Sequence, residues 1–405
     1  MKKTIVLFLL FLSFQLISSQ EISFSDSTQI SLITCTPGPE VYAKFGHTGI
    51  RVFDRKTGLD LIFNYGMFSF NTENFYFKFI KGETDYSLGV QYTADFLPEY
   101  QRRNSTVWEN TLNLNSYERK RLISLLIDNY KEENRVYRYN FVYDNCATRP
   151  RDKVLSCVEG HVIFQDFYVN KTYRQAIDEY LGNDTWIRFS IDLVFGYQAD
   201  KQMPQMQSMF LPEMLKYEFL NAKIMNITSK QSKPLIANTN MIVNSTVKIA
   251  EKPSFFSKPF DVFVSLLVFI LLISILELSF HFQHNTIMDS ILLILTGIGG
   301  LIVFFLMLFS IHPLVKYNFN IFWLNPVNIF VGILIWFKRF RVYVFIYQIF
   351  NILLLILALV SVAISLQTFN QATFVVIALL FIRYSVWVYR TKKRIVRKMK
   401  FEIKD

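Results

Sequence analysis

Cys146 stands in the run Asn140-Phe141-Val142-Tyr143-Asp144-Asn145-Cys146-Ala147-Thr148-Arg149-Pro150-Arg151-Asp152. Asp144 and Asn145 are helix-capping residue types, so a helix is expected to begin near Cys146. At such a position, free backbone N–H groups and the positive end of the helix dipole favour thiolate over thiol. The neighbouring Arg149 and Arg151 act in the same direction. A thiolate is the nucleophilic form of cysteine, and a cysteine that merely packs seldom has such polar neighbours. The thiol also needs a base. Between the apolar ends of the chain there are two histidines, His47 and His161. His47 lies in Phe45-Gly46-His47-Thr48-Gly49-Ile50-Arg51-Val52, where small flanking residues leave its ring approachable. His161 follows Gly160 without a pattern and is expected on the surface.

These residues must be carried by a mixed α and β domain. Gln29 to Thr34 is a short β-type run, and Pro37-Gly38-Pro39 marks a turn. Strands are expected over Thr48 to Phe53 and Asp60 to Tyr65, joined by a polar turn. His47 then opens the first strand, and Asn64 lies near the end of the second. Leu122, Leu125 and Leu126 give Tyr117 to Tyr130 a helical period, and Tyr173 to Leu181 is expected to be helical too. Strands and helices in this mixture give an α+β class. A helix carrying both Cys146 and Cys157 would hold them about 16 Å apart, too far for a bridge. A Cys35–Cys157 disulfide stays open, and it would leave Cys146 as the free thiol.

The chain has 405 residues, 52% of them hydrophobic, with 41 Phe and only 14 Gly. Its apolar residues are concentrated at the two ends. Lys2 and Lys3, then Ile5 to Leu12, then Ser18, Ser19 and Gln20 read as a signal peptide over 1–20. Apolar spans are expected near 261–279, 287–310, 321–337, 342–366 and 372–389. Lys338, Arg339 and Arg341 connect the third and fourth spans. Of the net charge of +11, six units lie in the tail from Arg390 to Asp405. Both basic segments belong in the cytoplasm, which places the domain before the spans on the outer side. The signal peptide requires the same orientation. Placed there, the charge argues against nucleic acid as a partner. The expected division is 1–20 signal, 21–225 exported domain, 226–258 linker, 259–390 five-helix bundle and 391–405 basic cytoplasmic tail. No metal or cofactor is expected.

A His on a strand, a second strand, and a later Cys opening a helix resemble the circularly permuted papain-like folds. These are the permuted NlpC/P60 proteins, which include lecithin:retinol acyltransferase-like enzymes. That resemblance implies His47 as base, Cys146 as nucleophile and Asn64 as the polar group that orients the imidazole. A closer resemblance covers nearly the whole chain. The runs Thr34-Cys35-Thr36-Pro37-Gly38, Phe45-Gly46-His47-Thr48, Phe63-Asn64-Tyr65-Gly66 and Tyr143-Asp144-Asn145-Cys146-Ala147-Thr148-Arg149 resemble the Bacteroides-type lipoprotein N-acyltransferase family. His312-Pro313 and Trp323-Leu324-Asn325-Pro326 do so as well. The family pattern has Thr or Ser after the Cys, where this chain has Ala147.

The resemblance implies a thiol acyltransferase of a bacterial inner membrane, with its papain-like domain in the periplasm ahead of the bundle. Its acyl donor would be a membrane phospholipid, and its acceptor the amino-terminal amine of a lipid-modified Cys on an exported lipoprotein. The alternative is a membrane-tethered Cys peptidase or amidase acting on cell-wall peptide. Arg149 and Arg151 are expected either to hold a phosphate or to pair with Asp144 and Asp152. His312 falls in an outward connection, where it would meet a phospholipid head group or the exported domain.

Overall fold

The computed structural model describes residues 24–165, 170–227, 230–245, 254–280 and 285–402. The expected signal peptide lies outside the described residues. The amino-terminal domain is built in the order β1 (Thr28–Cys35), β2 (His47–Asp54), β3 (Asp60–Met67), α1 (Phe75–Lys81), β4 (Asp85–Tyr92), α2 (Thr93–Arg102), β5 (Val107–Leu112), α3 (Ser116–Tyr130), β6 (Val136–Arg138), α4 (Thr148–Cys157), β7 (His161–Ile163), α5 (Tyr173–Leu181), α6 (Trp186–Val194), α7 (Pro212–Asn221), β8 (Lys223–Met225), β9 (Ser232–Pro234) and β10 (Ile236–Val243). Seven strands pair antiparallel in the order β10-β5-β1-β2-β3-β4-β6, and β7-β8-β9 form a small separate sheet.

Strand β1 is central and buried on both faces. Ile30 and Leu32 join a core with Leu122 and Leu126 of α3 and Val154 of α4, while Ile33 and Cys35 face Phe96 and Tyr100 of α2. Its polar residues Ser31 and Thr34 are buried with them, so the strand is covered on both faces. Helix α3 starts where Asn115 and Glu118 cap each other, which fixes the helix beside the sheet.

The expected linker over 226–258 needs correction. Its middle is β9 and β10, and β10 completes the edge of the main sheet beside β5. Only Ile236 and Val243 of β10 are fully buried. An edge strand exposed along most of its length carries Asn and Thr, and in sequence it reads as a linker. Cys35 and Cys157 are free thiols in different cores, so the disulfide left open in the sequence does not form.

Beyond the domain lie α8 (Pro259–Ser279), α9 (Thr286–Phe309), α10 (Asn328–Leu334), α11 (Arg341–Ala363) and α12 (Gln371–Glu402). Four helical segments, 259–279, 286–309, 338–363 and 371–394, are long and apolar enough to cross a membrane. The third expected span, 321–337, is no continuous helix: a 3-10 turn over Phe319–Phe322 is followed, past Pro326, by the seven-residue α10. Proline cannot continue the helical hydrogen bonding, and the freed groups must find partners inside the protein. Gln367 and Asn325 accept from the Phe319 and Val327 amides, and Ser290 donates to the Gly332 carbonyl, while the Asn328 side chain ties the segment to Thr296, Tyr347 and Asn351. Glycines let the broken segment lie against α9. A Cβ at Gly300 would come within 2.2 Å of the Leu324 carbonyl oxygen, and one at Gly297 within 2.6 Å of Ile329.

Bundle and domain are joined by main-chain contacts. The amides of Gly196 and Tyr197 donate to the carbonyls of Leu314 and Tyr317, and Asn318 donates to the Leu193 carbonyl. Gln367 reaches the Phe195 carbonyl, and Asn370 reaches Asp192 at the base of α6. At the other end of the bundle, Arg383 is buried between Asp289 and Glu277, with Ser274 completing its donors' partners. Ionised groups at such depth need this pairing.

Candidate active site

The site is assembled from three places in the chain. Gly46, with φ +76°, makes the turn that delivers His47 to the start of β2; a Cβ there would strike the Cys35 carbonyl oxygen at 2.5 Å. Asn64 is on the neighbouring strand β3, and its Oδ1 lies 2.6 Å from His47 Nε2. With Nε2–H donating to Asn64, Nδ1 is the ring nitrogen left for the thiol. The ring is also stacked on Tyr100, with centroids 6.4 Å apart and planes 15° from parallel.

Cys146 comes from the third place, immediately ahead of α4. The helix begins two residues later than the sulfur, and Asn145 organises the approach. The Asn145 side chain is buried and accepts from the Ala147 and Thr148 amides at 2.8 and 2.9 Å. Its Nδ2 donates to the carbonyls of Phe141 and Phe210. One amide side chain therefore caps the helix, shapes the preceding turn and ties both to the segment before α7. Asn145→Ala leaves buried donors and acceptors unmatched, and is expected to cost about 3–5 kcal/mol. Denaturation of the full chain measures this; an unchanged midpoint would contradict the clamp.

Gly66 is the meeting point. Its φ is +92°, at an irregularity in the β3–β4 pairing between Asn64 and Met67. A Cβ at Gly66 would stand 3.5 Å from Cys146 Cβ and 3.8 Å from His47 Cε1. Both are ordinary contact distances, so the positive φ, not space, is what calls for glycine where thiol and imidazole lie side by side.

The electrostatics follow from the pair. Burial alone would raise the Cys146 thiol, but the charge of His47, its hydrogen bond, and backbone hydrogen bonds from Thr48 and Cys146 outweigh it, and the pKa falls. Burial pulls His47 down, and the Cys146 charge and the bonds to Cys146 and Asn64 bring it above its ordinary value. The two shifts favour a thiolate–imidazolium pair, in which each ion stabilises the other. Burial pushes Cys35 well up and Cys157 up to about 12, so neither shares this character.

The structure thus brings Cys146, His47 and Asn64 together. The other expected site residues have partners within the protein. Arg149 forms a two-pronged pair with Asp144 and covers the Tyr137 ring at 3.6 Å. Arg151 bonds Asp152 and the Met206 carbonyl. His312 Nε2 lies 2.8 Å from the Phe79 carbonyl oxygen, so it meets the amino-terminal domain. His161 is exposed on β7. Gly66 entered the sequence reading only as the end of the Phe63-Asn64-Tyr65-Gly66 run, with no role of its own, and Tyr100 did not enter it. An Asn-x-Gly run at a strand end was the available signal for Gly66, whereas nothing in the sequence marks Tyr100, which reaches His47 from α2.

Searches of curated proteins and of solved structures gave no match. Two family models do match, and together they cover most of the chain. The Lnb N-terminal periplasmic domain matches residues 20–180, which hold Cys146, His47 and Asn64. The Lnb transmembrane domain matches residues 250–395, which hold the apolar helices. With its periplasmic domain and membrane bundle in this order, the chain belongs to the Lnb family.

Proposed function

We propose that this protein is a thiol acyltransferase that moves a fatty acyl chain from a membrane phospholipid to the amino-terminal amine of a lipid-modified Cys. The observation that carries the reading is the Cys146–His47–Asn64 constellation in a domain docked onto one end of an apolar bundle. The order of strand His, strand Asn and helix-leading Cys also supports the permuted papain-like reading of the fold.

In the first step the Cys146 thiolate attacks an ester carbonyl of the phospholipid. The C–S bond forms, the ester C–O bond breaks, and the lysophospholipid alkoxide leaves with the proton of the His47 imidazolium. In the second step the acceptor amine attacks the thioester. His47 takes the amine proton, the C–S bond breaks, and the amide leaves Cys146 as thiolate. Asn64 holds the ring so that Nδ1 serves both transfers. A thioester suits this exchange, since its thiolate is a better leaving group than the alkoxide it replaced. Arg149 and Arg151 would reach a phosphate only by giving up their carboxylate partners. His312 holds the domain to the bundle and so acts on the site through placement.

A hydrolase of cell-wall peptide could use the same three residues, but it would need only a tether. An insoluble donor and a membrane-held acceptor account for a bundle of several spans. The proposed orientation puts the domain in the periplasm and the tail after α12 in the cytoplasm. A reporter fused after Asp405 should then work only inside the cell, and finding it active outside would reverse the orientation. For the reaction, mass spectrometry of lipoprotein amino termini should show N-acylation that disappears on loss of the gene. Unchanged N-acylation in a cell without a redundant enzyme would put the hydrolase first.

A further inference from the structure

A series of aromatic rings runs from the cluster that Cys146 packs against to the bundle, where Phe79 meets His312. Tyr139 and Tyr86 are at the upper end, stacked with centroids 4.1 Å apart. Tyr86, Tyr139 and Cys146 pack in one cluster, and burial, with the charge of Cys146 after it, pushes both phenols up. Phe68 continues the series, stacked on Tyr86 at 4.9 Å; it stands two residues beyond Gly66, where a Cβ would meet both Cys146 and His47. From Phe68 the rings pass to Phe70 at 4.9 Å and to Phe75 at 5.8 Å. Phe75 opens α1.

Helix α1 is short, apolar and faces outward. Tyr76 is 73% exposed and Phe77 56%, and Phe79 and Ile80 are also exposed. An outward apolar patch of this kind on a soluble domain calls for a covering surface. Three contacts fix what that surface is. The Ile311 amide donates to the Lys81 carbonyl at 2.8 Å, Ser310 Oγ donates to the Ile80 carbonyl at 2.9 Å, and His312 Nε2 stands at the Phe79 carbonyl oxygen. All three partners follow directly on α9, an apolar span that ends at Phe309, and Phe77 meets Phe305 of that span. A Cβ at Gly82, whose φ is +77°, would come within 2.8 Å of Ile311, so the junction is tight. Helix α1 is therefore held at the level where a span leaves the hydrocarbon, with aromatic rings and the lysines 78 and 81 at that boundary. Aromatic and basic side chains are the residue types that settle there.

We propose that α1 is seated in the outer leaflet and that the ring series is the route by which a phospholipid acyl chain passes from the leaflet to Cys146. The route rests on the acyl-transfer reading; the seat of α1 in the leaflet does not. Lipid is the occupant because the patch is continuous with a membrane span at three main-chain and side-chain contacts.

The test uses the full chain reconstituted in phosphatidylethanolamine–phosphatidylglycerol vesicles. Phe77→Trp should add an emission component that acyl-brominated phospholipid quenches. No quenching of that component, or quenching by a second copy in cross-linked dimers only, would overturn the seat. Phe70→Asp and Tyr76→Asp change exposed residues, and retained labelling of Cys146 by iodoacetamide shows that the site has folded. In each, acylation of Cys146 from vesicle lipid, divided by acylation from the soluble ester p-nitrophenyl butyrate, should fall at least tenfold. An unchanged ratio in both variants would overturn the route. If the parent protein forms no acylated Cys146 from either donor while Phe77→Trp is still quenched, the acyl-transfer reading fails, the route falls with it, and the leaflet seat stands.

Discussion

Cys146→Ala is expected to remove all acyl transfer while leaving the domain folded. The sulfur is the only atom of that side chain with a partner in the site, and Cys146 is half-buried at the edge of the core. Loss of the thiol should cost about 1 kcal/mol of stability or less, a surface-scale effect. Cys35→Ala and Cys157→Ala should show the reverse pattern. Both thiols are fully buried, and Cys157 Sγ sits against the Val154 carbonyl. Each is expected to cost about 1–2 kcal/mol and to leave most of the activity. Lipoprotein N-acylation in cells and denaturant midpoints on the same variants measure both sides of the contrast. Activity retained by Cys146→Ala would exclude the thiol as nucleophile.

His47→Ala is expected to slow alkylation of Cys146 at least tenfold at neutral pH and to move its pH dependence upward. The direction follows from the pair. In the intact site the thiol pKa lies below its ordinary value, because the imidazolium and the backbone donors outweigh burial. The thiolate is thus already formed at pH values where a free thiol is mostly protonated. Without His47, burial dominates and the inflection rises to or above the ordinary thiol range near about 8.5. As pH rises in the parent, reactivity should appear early and then hold; in the variant it should appear late. Acyl transfer itself should rise through the thiol inflection and fall as His47 loses the proton its leaving alkoxide needs. Asn64→Ala should show a smaller loss in the same direction, since it removes the group that holds the ring and one of the contacts that raises His47. An iodoacetamide profile identical in parent and His47→Ala would show that the two side chains do not interact in solution.

Much of this site was legible in the sequence because its parts obey local rules. The strand carrying His47, the strand carrying Asn64 and the helix over Tyr173 to Leu181 each announce themselves by period and flanking turns. Asp144 and Asn145 marked the helix after Cys146, although the structure gives the capping to Asn145 and pairs Asp144 with Arg149. What the sequence concealed depends on distant partners. Strand β10 is polar because it is an edge, and only its pairing with β5 distinguishes it from a linker. The segment 321–337 is apolar enough to suggest a span, but Pro326 and the asparagines make it a broken element satisfied by its neighbours. Tyr100 lies about fifty residues from His47 in the chain and meets it only through the packing of α2 on the sheet.

The most direct test is the intact mass of the protein after incubation in phospholipid vesicles without an acceptor. The account predicts a mass increase of one fatty acyl group, located on the peptide containing Cys146, cleaved by neutral hydroxylamine and discharged when a peptide with a lipid-modified amino-terminal Cys is added. Cys146→Ser should lose the hydroxylamine-labile adduct, because an oxygen ester resists that treatment. A wild-type protein that processes lipoprotein amino termini while Cys146 never carries an acyl group would contradict it.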